Sequence, residues 1–222
     1  MNGRQNMKIE RKRFVAALLP PVYLLVFMWL VKIFEVLLKT DVGFLGVHPL
    51  SLDGLPGILL MPFIHGGWSH LMANTVPFLV LSTALFYFYR EISWKVLIGI
   101  WLLSGMWVWF GGRPSWHIGA SGVIYGLSAF LFLSGIIRDV KGLAALSLIV
   151  AFLYGSMIWG VFPDFFPKEK NISWEGHLGG MVSGVIMALY YRTQGPQRRK
   201  YSWELEDEEE EDPNPYWRST HT

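Results

Sequence analysis

Long uncharged runs broken by short charged segments constrain this chain more than any other feature. Phe14 to Val31 holds 18 residues without a charge, and Ile118 to Ile137 repeats the pattern. His70 to Tyr89, Val96 to Gly112, Gly142 to Pro163 and Trp174 to Tyr191 are further apolar runs of similar length. At about 1.5 Å per helical residue, such runs match a hydrocarbon core of roughly 30 Å. Only 16% of the residues are charged, against 52% hydrophobic, whereas soluble domains carry about 25% charge. The solvent for this chain is therefore lipid. The expected fold is an all-α membrane protein, a bundle of six transmembrane helices forming one domain over residues 14–191.

The polar segments orient that bundle. Cytoplasmic loops of membrane proteins collect lysine and arginine. Placing the N-terminus inside puts Arg4, Lys8, Arg11, Lys12, Arg13, Arg90, Lys95, Arg138, Lys141, Arg192, Arg198, Arg199 and Lys200 on the cytoplasmic side. Only Lys39, Arg113, Lys168 and Lys170 then face outward. Residues 1–13 read as a basic cytoplasmic N-terminus, and 192–222 as a cytoplasmic tail. The acidic run Glu204 to Asp212 in that tail is expected to be solvated and disordered. The chain has no cysteine, which excludes disulfides, a thiolate zinc site and a cysteine nucleophile. The first apolar stretch is too long for a signal h-region, so no cleavable signal peptide is expected. The short loops suit a multi-pass protein of a bacterial inner membrane.

Within the first run, Pro20-Pro21 is expected to kink the helix. Lys32 and Glu35, three residues apart, are placed to pair. Residues 39–69 are rich in glycine and proline and contain the apolar patch Ile58 to Ile64, too short to cross a bilayer. This segment reads as an outer loop partly sunk in the interface.

With the N-terminus inside, the second, fourth and sixth runs all enter from the outer face. Ser121 lies four residues into the fourth, and His177 four residues into the sixth. His70 and Asn74 lie in about the first turn of the second, so all four share one depth. Gly119, Gly122 and Gly126 on one run, with Gly176, Gly180 and Gly184 on the other, allow two helix backbones to touch. A serine hydroxyl becomes a competent nucleophile when a neutral histidine within ~2.6–3.2 Å takes its proton. Acyl transfer also needs donors for the developing oxyanion, and the Asn74 amide, the His70 imidazole and the Ser121 N–H can supply them. Tyr125, one turn beyond Ser121, can stack on His177. Asp164 and Glu175 are the nearest acids to His177, but neither is clearly placed to orient it, so a Ser121–His177 dyad is expected.

Simpler readings exist for each residue. Ser104 and Ser128 are expected only to bond back to helix carbonyls. Asn74 alone could be packing glue, and His65 an interface residue. His65, His70 and His177 could hold a metal, but no carboxylate shares their depth and no HExxH pattern occurs. No metal, other cofactor or nucleic-acid partner is expected. Asn171-Ile172-Ser173 matches a glycosylation acceptor and is read as chance.

These residues together resemble a known family. Gly119-Ala-Ser121-Gly-Val-Ile-Tyr125-Gly, His177-Leu-Gly-Gly-Met-Val-Ser-Gly184 and His65-Gly-Gly-Trp-Ser-His70-Leu-Met-Ala-Asn74 resemble the rhomboid intramembrane serine proteases over about Phe14 to Tyr191. The resemblance implies Ser121 as nucleophile, His177 as base, His70 and Asn74 as the oxyanion hole, and Tyr125 as the stacking tyrosine. It also implies cleavage of single-span membrane proteins in the lipid bilayer near the outer face, without metal or cofactor. Residues 39–69 would be the family's interfacial loop, here without the Trp-Arg pair that many members carry. A polar cavity lined by His70, Asn74 and His177 is then expected to open outward. The alternative is a catalytically silent rhomboid-like chaperone or scaffold for transmembrane helices. A transporter is disfavoured, because its sites tend to lie near the midplane and its sequence often repeats.

Overall fold

The structure, a computed structural model, describes residues 3–153, 173–195 and 197. The end of the fifth apolar run, Asp164, the possible glycosylation asparagine and the acidic run lie outside the described residues. The described part is all-helical, with seven α-helices and no strands. Helix α1 covers Gly3–Leu38, α2 Gly57–Leu60, α3 Trp68–Phe88, α4 Ser93–Gly111, α5 Ser121–Ile137, α6 Lys141–Leu153 and α7 Trp174–Tyr190.

Among the described residues, three helices are long and apolar enough to cross a membrane: α1 from Arg4, α3 and α4. Helices α5 and α7 coincide with the fourth and sixth apolar runs but have 17 residues each. With 36 residues, α1 is about 54 Å long, well beyond a bilayer core. Its first stretch, Arg4 to Ala16, is exposed. The helix passes through Pro20 and Pro21 without a break. Pro77 is carried inside α3 in the same way.

Helices α5 and α7 form the closest pair, and glycine makes that approach possible. A Cβ on Gly180 would collide with the Gly122 carbonyl, and one on Gly184 with the Gly126 carbonyl. The two backbones therefore touch along two successive turns, as small-residue faces in membranes allow. Around them the core is apolar, and Leu127, Phe130 and Leu131 of α5 share one buried cluster with Leu85 of α3 and Ile100 of α4. At the far end of α5 the guanidinium of Arg138 donates to Ser134 Oγ and to the carbonyls of Tyr191 and Gln194. Arg138 thus terminates α5 and α7 together.

Between α1 and α3 the segment is folded. It carries 3-10 turns at Gly43–Leu45, Leu52–Gly54 and Met61–Phe63 around α2. Indole N–H groups of α4 hold it: Trp101 donates to the Ile58 carbonyl at 3.0 Å and Trp109 to the Ser51 carbonyl at 2.9 Å. Val47 and His117 exchange two backbone bonds, at 2.9 and 2.8 Å. Lys32 of α1 donates to Glu35 at 2.9 Å and to the His65 carbonyl at 3.0 Å. These contacts anchor the loop without a Trp-Arg pair.

Candidate active site

Ser121 is the first residue of α5, and His177 lies in the first turn of α7. The glycine contact between these helices draws their starting turns together. Ser121 Oγ lies 2.9 Å from His177 Nε2, within hydrogen-bond reach for a nucleophile and its base. Tyr125 stacks on His177, with centroids 4.2 Å apart and planes 10° off parallel. Tyr125 follows Ser121 by four residues and so shares its helix face.

Gly119 turns the chain into α5 with a positive φ of 108°, a conformation that favours glycine. A Cβ here would stand 2.8 Å from His70 Nε2 and 3.7 Å from Asn74 Nδ2. The bare glycine therefore lets His70 and Asn74 of α3 close on the segment entering Ser121. Asn74 Nδ2 is buried and makes no hydrogen bond among the described residues. Such an orphan donor costs about 1–3 kcal/mol, and catalytic roles are among the reasons native structures retain one. The N–H groups of the first α5 turn, Ser121 included, have no intrahelical acceptor.

Glu175 does not orient His177 through any described bond. Its Oε1 receives Arg113 Nε at 2.5 Å and the Arg113 backbone N–H at 3.3 Å. The remaining residues separate by role. Ser104 bonds back to the Trp101 carbonyl at 2.9 Å, as expected. Ser128 instead reaches the Ser147 carbonyl on α6 at 3.5 Å, because the two helices pack together there.

His65 lies inside the protein rather than on its surface. It is 1% exposed, folded under Lys32 and set edge-to-face on His70 at 5.0 Å. Burial first, then the neighbouring His70, pushes its pKa down to about 3; the Phe63 carbonyl opposes this, and Lys32 adds a smaller push in the same direction as burial. Among the described residues, neither ring nitrogen has a hydrogen-bond partner of normal geometry.

A cavity of about 440 Å³ opens among Glu35, Asp41, Phe44, His65, Trp116 and Ile118. It lies beside the Ser121 segment and is not lined by His70, Asn74 and His177. Asn74 and His177 are themselves buried.

Sequence reasoning missed His117 and Ser173. Ser173 caps α7, accepting the Gly176 N–H at 3.2 Å. A serine directly before an apolar helical run is a recognisable start signal. His117 stands four residues before Ser121, as Ser173 stands four before His177. That matched offset was available in the sequence.

Fold and site together define an integral membrane protein with a serine–histidine pair at the meeting of two helix starts. A rhomboid-domain profile matches residues 54–194. An uncharacterized protein of Mycobacterium tuberculosis (strain H37Rv) is 34% identical over 197 residues, covering 86% of this chain and 80% of the relative. One from Mycobacterium leprae is 35% identical over 201 residues, covering 86% of this chain and 78% of the relative. A protein of Acanthamoeba polyphaga mimivirus named as a rhomboid protein is 29% identical over 143 residues, 60% of this chain and 73% of its own length. The chain belongs to the rhomboid family.

Proposed function

We propose that this protein is an intramembrane serine endopeptidase that cuts single-span membrane proteins near the outer face of the bilayer. The observation that carries the reading is the 2.9 Å approach of Ser121 Oγ to His177 Nε2 in a chain of the rhomboid family. Ser121 donates its hydroxyl hydrogen to His177 Nε2. As Oγ bonds to the scissile carbonyl carbon, the proton passes to Nε2 and the carbonyl oxygen becomes an oxyanion. Asn74 Nδ2, the His70 imidazole and the Ser121 N–H stabilise that charge. Collapse breaks the C–N bond, and the leaving amine takes the proton from His177. Water then repeats the cycle on the acyl-enzyme, with His177 again as base. Tyr125 keeps the imidazole in plane, and Gly119, Gly122 and Gly180 keep the groups in range. The reaction so drawn uses no metal or other cofactor.

The apolar runs and charge distribution support six spans with both termini cytoplasmic, a core over residues 14–191 and a polar tail over 192–222. Mycobacterial relatives support placement in a bacterial inner membrane.

The test is cleavage of a model single-span substrate by purified protein in liposomes, beside Ser121→Ala and His177→Ala. Groups that act as a unit fail together, so the wild type should cut and both variants should be silent. Turnover by either variant at the wild-type rate refutes the dyad. If the wild type is silent, absence of fluorophosphonate labelling at Ser121 refutes the enzyme.

A further inference from the structure

Among the described residues, Ser121 and His177 form one of two serine–histidine contacts between the segment entering α5 and the start of α7. Four residues upstream on each segment, His117 Nδ1 lies 2.6 Å from Ser173 Oγ. Both pairs are separated by 56 residues, with the roles of the two segments exchanged. Nothing in acyl transfer itself needs the upstream pair, so its purpose requires a separate account.

Geometry fixes the His117 tautomer. Its Nε2 lies 3.0 Å from the Arg113 carbonyl oxygen, which can only accept, so Nε2 carries the hydrogen. Nδ1 then holds a lone pair, and the Ser173 hydroxyl donates to it. Ser173 Oγ in turn accepts the Gly176 N–H at 3.2 Å, while the Ser173 carbonyl accepts the His177 N–H at 3.2 Å. One residue thus caps α7 with its side chain and seats His177 with its backbone.

His117 is 3% exposed and is equally fixed on its own side. It exchanges both backbone bonds with Val47, and two residues later the Gly119 N–H reaches the Met61 carbonyl at 2.8 Å. The Arg113–Glu175 ion pair ties the same two segments a second time. Helix ends fray by nature, and both Ser121 and His177 stand in first turns. A misplacement of about 1 Å costs on the order of 100-fold in rate.

We propose that His117, acting through Ser173, is a positioning residue that sets the Ser121–His177 distance. The proposal rests on the protease reading of those two residues. Glu175, Arg113 and His48 are the charged and titratable groups that act on the imidazole, and burial outweighs them in holding His117 below its ordinary pKa. His117 is therefore neutral near pH 7 and accepts the serine hydrogen. Acid that protonates Nδ1 removes that acceptor and loosens the α7 cap.

The experiment compares kcat and KM on a model single-span substrate in liposomes for the full-length wild type, His117→Phe, His117→Asn, Ser173→Ala and Ser173→Thr. Thermal unfolding establishes that each variant folds. His117→Phe and Ser173→Ala should lower kcat by about 10- to 100-fold, with KM within about twofold. Asn offers an acceptor near the Nδ1 position and Thr keeps the hydroxyl, so both should recover most of the loss. The acid limb of the wild-type kcat profile should contain a step that His117→Asn lacks. An active wild type with unchanged kcat in His117→Phe overturns the inference and leaves the protease reading intact. Loss that Asn and Thr fail to recover in folded protein also overturns it. A wild type that neither cleaves nor takes a fluorophosphonate at Ser121 refutes the protease reading, and this inference with it.

Discussion

Tyr125 lies flat on the His177 imidazole, with centroids 4.2 Å apart and planes 10° off parallel. The ring limits the imidazole to rotations in its own plane and so holds Nε2 toward Ser121. Tyr125→Phe keeps the aromatic face and should retain kcat within about threefold. Tyr125→Ala removes a contact worth about 0.5–1.5 kcal/mol beyond its buried area and frees the imidazole. It should lower kcat by about 10-fold or more, read from substrate cleavage in liposomes.

Asn74 presents a buried amide N–H pair with no partner among the described residues. Its folding cost and its proposed catalytic use point in opposite directions. Asn74→Leu should lower kcat by about 10²–10³-fold, the usual loss of an oxyanion donor. The same variant should unfold at an equal or higher temperature than the wild type, because an orphan donor worth about 1–3 kcal/mol has gone. A parallel loss of kcat and stability would show that Asn74 acts only in packing.

The site was legible where its geometry follows from helix depth. Ser121, His177, His70 and Asn74 stand near the starts of three apolar runs, and the alternating topology expected from the charge distribution would put those starts on one face. Gly180 and Gly184 announced a close helix contact because their four-residue spacing marks one helix face. Lys32 and Glu35 were readable as an i, i+3 pair. The rest depended on tertiary contacts that no local pattern encodes. The Val47–His117 bridge joins a loop to a turn 70 residues away. His65 reads as polar and loop-borne, yet the Lys32 bond to its carbonyl folds it inward. The cavity is lined mainly by the loop after α1 and the approach to α5, segments whose fold no local pattern specifies.

Gly180 is where the α5–α7 contact is least forgiving. A methyl group there meets the Gly122 carbonyl, backbone that has no rotamer to yield. Gly180→Ala should destabilise the protein by about 1–3 kcal/mol, as overpacking does, and widen the Ser121–His177 separation. Activity should fall more than the folded fraction. Gly142→Ala is the control, because no described residue lies within 4 Å of a Cβ added there. Thermal unfolding and cleavage rates on both variants check the contrast.

Lys32 and Glu35 form an ion pair with side chains only 8% and 13% exposed. Removing one member of such a pair leaves an unpaired buried charge and costs about 3–5 kcal/mol. Lys32→Met should therefore be strongly destabilising, and it also strips the donor from the His65 carbonyl. The double variant Lys32→Met/Glu35→Met should recover most of the loss. Chemical unfolding of the four proteins in one detergent gives the coupling directly.

His65 gives stability a specific dependence on acid. Its folded pKa is pushed down to about 3, first by burial and then by its neighbours, whereas an unfolded histidine titrates near 6.5. Between those values the unfolded chain binds a proton that the folded chain refuses, so stability falls as pH is lowered from about 6.5 toward 3. The slope for one such group approaches ~1.4 kcal/mol per pH unit. His117, held below its ordinary value by burial, adds to the loss in the same direction. Above pH 7 both imidazoles are neutral in both states, and the dependence vanishes. Thermal unfolding of the wild type in detergent should therefore be flat from pH 7 to 8 and drop steadily from pH 6 to 4. His65→Gln should show a shallower drop over the acid range, and a slope identical to wild type would mean that His65 takes up its proton while folded.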